Sequence, residues 1–237
     1  MLFLAVFFGF LAEDFRESHQ EKLQAEELAH KFYYELKDDS VAIEKAISLR
    51  LRRDSAVHYI RGYFKDSSLT NCSKKFSIQY LYGMILYSPT TFEPQDVILE
   101  QIRNGGTLEY FKDTEIQALT GKLVAEMAKV KNRNERESEV FARQLGDFNF
   151  RHADTDWLLA LAQYNKGSLF DTLKIYEASE AYRPFHLVKP EKIDREEIYN
   201  TMGLVLAAFT STRKLTYSQY QKVNADLLKR LREVYKL

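Results

Sequence analysis

The stretch MLFLAVFFGFLAEDFRESHQEKLQAEELAHKFYYELKDDS, residues 1–40, decides the fold. It contains one glycine, Gly9, and no proline, so nothing in it forces a helix to break. Leu28, Phe32 and Leu36 recur at i+4 spacing and give its second half one apolar face. The pattern predicts a continuous helix of about 36 residues. It is expected to end at the polar cluster Lys37, Asp38, Asp39, Ser40, where Asp39 or Ser40 caps a second helix over about 41–64. That second helix would bury Ile43, Ile47 and Leu51, followed by a drifting stripe of Ala56, Ile60 and Tyr63. The two would pair as a hairpin. Residues 13–39 hold nine acids against four bases, and residues 44–61 five bases against two acids. Such complementarity sets register more than stability.

The first twelve residues are apolar on every face and carry Phe3, Phe7, Phe8, Phe10 and Leu11; charge begins abruptly at Glu13 and Asp14. Twelve helical residues rise ~18 Å, whereas a bilayer core of ~30 Å takes ~20 residues. Three readings follow: part of a transmembrane anchor whose start has been placed late, an apolar helix that lies on a membrane or oligomerises, and a core helix. The first is preferred, with the bilayer as partner through residues 1–12. The flank Glu13, Asp14, Arg16, Glu17 has a net charge of −2 and does not favour cytoplasmic retention, so the body is expected outside the inner membrane.

Working outward, the chain reads as all-α, a bundle of antiparallel helical hairpins. Only nine glycines and four prolines punctuate 237 residues. The segment KKFSIQYLYGMILYSP, residues 74–89, is expected to be helical. Thr91 and Pro94 open a helix that Asn104-Gly105-Gly106 stops. Asp113 and Thr114 cap a longer one with a stripe of Ile116, Leu119, Leu123, Val124 and Met127, fading into the charged run KVKNRNERESEVFARQ, residues 129–144, read as a solvated face. Shorter helices are expected at about 154–166, 169–182 (with a Ser168 cap), 191–212 and 217–235. Residues 13–237 read as a single helical domain, with possible subdivision near 146 or at 183–190.

The chemistry-bearing patterns are sparse. Thirty-four basic residues balance thirty-four acidic ones, which gives no field to draw nucleic acid, and no nucleic-acid partner is expected. There is no GxGxxG or GxxxxGK[ST] loop and no GxSxG, and the lone Cys72 can form neither an intramolecular disulfide nor a cysteine zinc site. Glu27 and His30 have the ExxH spacing of a di-iron helix, but no second ExxH accompanies them. His152, Asp154 and Asp156 form a weak metal-like cluster. It lies where a helix must begin, so Asp154 or Thr155 as N-cap and Asp156 in the first turn account for the same residues. No cofactor is expected.

FFGFLAEDFRE (residues 7–17), YELKDDS (34–40) and FEPQDVILEQIRNGGTLEYFKDTEIQALTGKL (Phe92–Leu123) resemble an uncharacterised bacterial family of small single-span membrane proteins with a helical body. The resemblance implies a bacterial inner-membrane protein, single-pass or N-terminally anchored, with its body periplasmic. It supplies no catalytic residue. This chain departs from the pattern in its short anchor and in having no basic residue ahead of it. The functional expectation is a membrane-anchored helical interaction or sensor-like module that meets a protein partner or another copy of itself. The alternative is a soluble or peripheral helical enzyme, metal-dependent, built around 152–156.

Overall fold

The expected turn at residues 37–41 does not form. A single helix, α1 (Leu2–Asp66), runs through it without a break. Ser40, expected as a cap, instead donates its hydroxyl to the carbonyl of Leu36 at 3.1 Å, the back-bonding that lets serine sit inside a helix. Asp39 turns into the core and accepts the Tyr220 hydroxyl and the Gln95 N–H. Asp39 and Ser40, which look like a stop signal, are here hydrogen-bonding groups of a continuous helix, so the pairing of oppositely charged helices inferred from the turn has no counterpart.

The computed structural model describes residues 2–87, 90–163 and 167–237, and side chains within these except at residues 2, 3 and 5. After α1 come α2 (Lys74–Tyr80), α3 (Val97–Asn104), α4 (Thr114–Val140), α5 (Asp147–His152), α6 (Thr155–Ala162), α7 (Leu169–Ala178), α8 (Arg195–Ser211) and α9 (Ser218–Tyr235). Among the described residues extended pairing is limited to one isolated antiparallel bridge, Cys72 with Phe185. The all-α reading therefore stands. The end expected for α6, residues 164–166, lies outside the described residues, as does Ser88-Pro89.

The membrane span expected at the start is overturned. Among the described residues no helix is long and apolar enough to cross a membrane. Although α1 has 65 residues, Glu13, Asp14, Arg16 and Glu17 enter directly after the first twelve. Any window of bilayer length therefore carries several charges. The transmembrane and inner-membrane, single-pass assignment, and the periplasmic placement that depended on it, fall with it.

The chain divides into two compact units, neither of them a continuous stretch. The first comprises residues 1–43, 93–130 and 217–237. Its core buries Leu28, Phe32, Leu36 and Ile43 of α1, Leu99 and Ile102 of α3, Ile116, Leu119 and Leu123 of α4, and Leu227 and Leu231 of α9. Caps hold the helix ends: the Asp113 carboxylate accepts the Ile116 N–H at 2.9 Å, and Gly106 takes a left-handed φ of 63° past the end of α3. The carboxylate of Glu35, itself buried, receives the Ile98 and Leu99 N–H groups at 2.9 and 3.4 Å. A side chain from α1 thus supplies the α3 N-terminus with the anion its dipole favours.

The second unit comprises residues 44–92 and 131–216. Its core is aromatic: Phe76, Tyr80, Trp157, Tyr176 and Phe185 are all buried, and the Trp157 ring lies edge-on to Phe185 and Tyr176 at 5.2 and 5.7 Å. Arg195 closes the end of α1 by donating Nη1 to the carbonyls of Phe64 and Ser67 at 3.0 and 2.9 Å. Three π-helical segments widen its helices: Leu81–Ile85 after α2, Phe141–Gly146 after α4, and one beginning at Thr212 after α8.

Gly83, within the first of these π-helical segments, is a close-approach glycine. A Cβ there would lie 2.8 Å from Ile60 Cδ1 and 3.3 Å from the Val57 backbone nitrogen. We expect Gly83→Ala to destabilise this unit by about 1–3 kcal/mol through overpacking. A urea titration read by the fluorescence of Trp157, the only tryptophan in the chain, measures it.

Candidate functional site

The metal-like cluster resolves into separate roles. His152 ends α5; its Nδ1 lies 2.8 Å from the Val188 carbonyl, which can only accept, so Nδ1 carries the proton. Asp154 caps α6 by accepting the Trp157 N–H at 2.9 Å, and its other oxygen faces His186 Nδ1 at 3.2 Å. Asp156 is exposed in the first turn of α6. Among the described residues no group of three or more His, Cys, Asp or Glu side chains is placed to hold a metal ion. Glu27 of the ExxH pair is bonded to Lys31 at 2.6 Å. Beside His152 lies an open cleft of about 160 Å³, walled by Arg143, Asp147, Arg151, Lys192, Asp194 and Glu197. Its charges are mixed, and Asp147 and Arg151 already pair with each other.

Of the residues assigned to the apolar start, Phe7, Phe8, Phe10 and Leu11 are exposed; the side chain of Phe3 lies outside the described residues. Every described side chain from Leu4 to Gln20 is exposed, including Phe8, Phe10 and Phe15 at 63, 69 and 78%. A helix with apolar residues on all its faces finds no cover there within its own unit. Exposed patches of that kind mark interaction surfaces.

The feature that sequence reasoning missed is a buried cationic centre in the second unit. The stripe that α1 turns inward there is Ala46, Arg50, Arg53, Val57, Ile60 and Phe64, all buried. Arg50 and Arg53 therefore occupy core positions, whereas Leu51, expected inside, is 48% exposed. Glu137 of α4, from the charged run taken for a solvated face, is also buried. Arg50 grips it with both ends of its fork, Nη2 to Oε2 at 2.7 Å and Nη1 to Oε1 at 3.2 Å, and donates Nε to the Thr90 carbonyl at 2.8 Å.

Arg53 has no such partner. Among the described residues none of its three nitrogens finds a hydrogen-bond partner, and all three are buried. Its guanidinium lies instead among aromatic rings, 3.8 Å from the centroid of Phe209, 5.2 Å from Tyr87 and 5.3 Å from Phe141. Tyr87 and Phe141 are stacked on each other at 4.8 Å. Burial, and then the nearby Arg50 charge, lower the Arg53 guanidinium to about 10, still cationic at neutral pH. Its sequence neighbour Asp54 is engaged elsewhere, by Arg213 at 2.8 Å. Half-buried Arg133, one turn before Glu137, spends its donors on the Thr212 hydroxyl and the Ala208 carbonyl. One buried carboxylate thus faces two buried arginines, and the centre carries an excess positive charge.

The first unit holds the opposite case. Desolvation pushes the Asp39 carboxyl up to about 6, against hydrogen bonds from Tyr220 and Gln95 that lower it. The folded protein then holds a proton that the unfolded chain, titrating near 3.8, releases. Protonation stabilises the fold fully below about 3.8, and that stability is lost as pH rises through about 6. We expect the first unit to lose about 2 kcal/mol between pH 4 and pH 7 from this group, and Asp39→Asn to flatten the slope. Amide hydrogen exchange of α9 across that range reads the difference.

No family model matches the chain, and no curated protein or solved structure matches it. Its class therefore rests on fold and site: an all-helical protein with an exposed apolar helix start and a buried cationic centre.

Proposed function

We propose that this chain is a helical interaction module that self-associates through the first turns of α1. The observation that carries the reading is the exposure of Leu4, Val6, Phe8, Phe10, Leu11 and Phe15 around one helix. Side chains of this size, half to three-quarters exposed, present on the order of 100 Å² each, or roughly 600–800 Å² per copy. That is about what one partner brings to a stable interface of standard size. A second copy supplies a surface of the same apolar character. In an antiparallel arrangement it also keeps the acidic clusters at Glu13, Asp14 and Glu17 at opposite ends, away from each other.

Light scattering on the eluting protein tests the reading. The wild type is expected at twice the chain mass or a higher multiple, and F8E/F10E at the mass of one chain, with unchanged helical content. A wild type that elutes as a single chain at tens of micromolar, or a variant that keeps the wild-type mass, would contradict the proposal.

A further inference from the structure

We infer that the aromatic cage around Arg53 is a binding site for a small oxyanion, a carboxylate or phosphate group. The inference is independent of how α1 associates. Arg53 offers a planar fork of N–H donors that matches an oxyanion geometrically, and none of those donors is used among the described residues. The carboxylates near it in sequence or space are already engaged: buried Glu137 holds Arg50, and half-buried Asp54 holds Arg213. The charge balance of Arg50, Arg53 and Glu137 is one positive too many, and a monovalent anion closes it. The rings of Tyr87, Phe141 and Phe209 stabilise the cation by their faces but accept nothing in the guanidinium plane.

The guanidinium nitrogens are shielded from solvent, so entry requires the walls to part. The helix geometry nearby favours this. Phe141 is the first residue of one π-helical segment, Tyr87 follows another by two residues, and Phe209 lies three residues ahead of the third. Such wide turns interrupt regular helical bonding and recur at functional sites. The oxyanion is therefore expected to bind slowly, with the cage closing over it.

The test uses the full chain and two probes, inorganic phosphate and acetate, each titrated against sodium chloride at matched ionic strength. Thermal unfolding is followed through Trp157. The expected result is a midpoint that rises by several degrees and saturates with at least one probe in the wild type, and does not respond in Arg53→Met. Arg53→Lys, which keeps the charge but loses the fork, is expected to respond with at least tenfold weaker affinity. A rise that is equal in wild type and Arg53→Met is a general salt effect and overturns the inference. So does a wild type that responds to neither probe while Arg53→Met folds normally.

Discussion

Glu137→Gln is expected to lower the stability of the second unit by about 3–5 kcal/mol, the cost of leaving buried charge without its partner. The substitution preserves size and removes one charge, so packing changes little. What it exposes is electrostatic: Arg50 loses a bidentate carboxylate at 2.7 and 3.2 Å, and the uncompensated positive charge of the centre grows from one to two. Arg50 cannot turn to water, because its whole side chain is buried and its Nε is tied to the Thr90 carbonyl. Urea denaturation read at Trp157 measures the loss. A change below 1 kcal/mol would mean that the pair is solvated, as surface pairs are.

Arg53→Met is expected to move the other way, raising stability by about 1–3 kcal/mol in plain buffer. Methionine fills much of the arginine volume, tolerates irregular cavities and packs favourably against aromatic rings. It also removes a cation whose desolvation no hydrogen bond offsets. The cation–π attraction that the substitution gives up is worth about 2 kcal/mol for the closest ring, less than the several kcal/mol of burying an ion. The same urea titration reads the gain, and a drop of 2 kcal/mol or more would show that the three rings satisfy the guanidinium by themselves. The two substitutions therefore have opposite signs within one cluster.

The all-α class was legible because few glycines and prolines interrupt the chain, and because capping residues such as Asp113, Ser168 and Asp154 do what their position suggests. The continuity of α1 through Asp39 and Ser40 was not legible. The same side chains that cap a helix can, when a partner such as Tyr220 or Asn224 approaches, satisfy themselves inside one. The cationic centre was hidden for a related reason. Reading only apolar residues on α1 leads through Ile47 and Leu51 and produces a drifting stripe. Admitting Arg50 and Arg53 yields an unbroken 3, 4, 3, 4 spacing from Ile43 to Phe64. Glu137 gave no signal at all, since a carboxylate in a mixed charged run is ordinarily solvated. The apolar start stands out in the sequence, but its hydrophobicity gives way to charge at Glu13, and no described helix is long and apolar enough to cross a membrane.

Amide hydrogen exchange over the first turns of α1, measured at several protein concentrations, tests the central claim of self-association most directly. Residues 4–15 are expected to exchange progressively more slowly as concentration rises, while amides in the core of α1, such as those of Phe32 and Leu36, stay unchanged. Exchange over residues 4–15 that is fast and independent of concentration would contradict it.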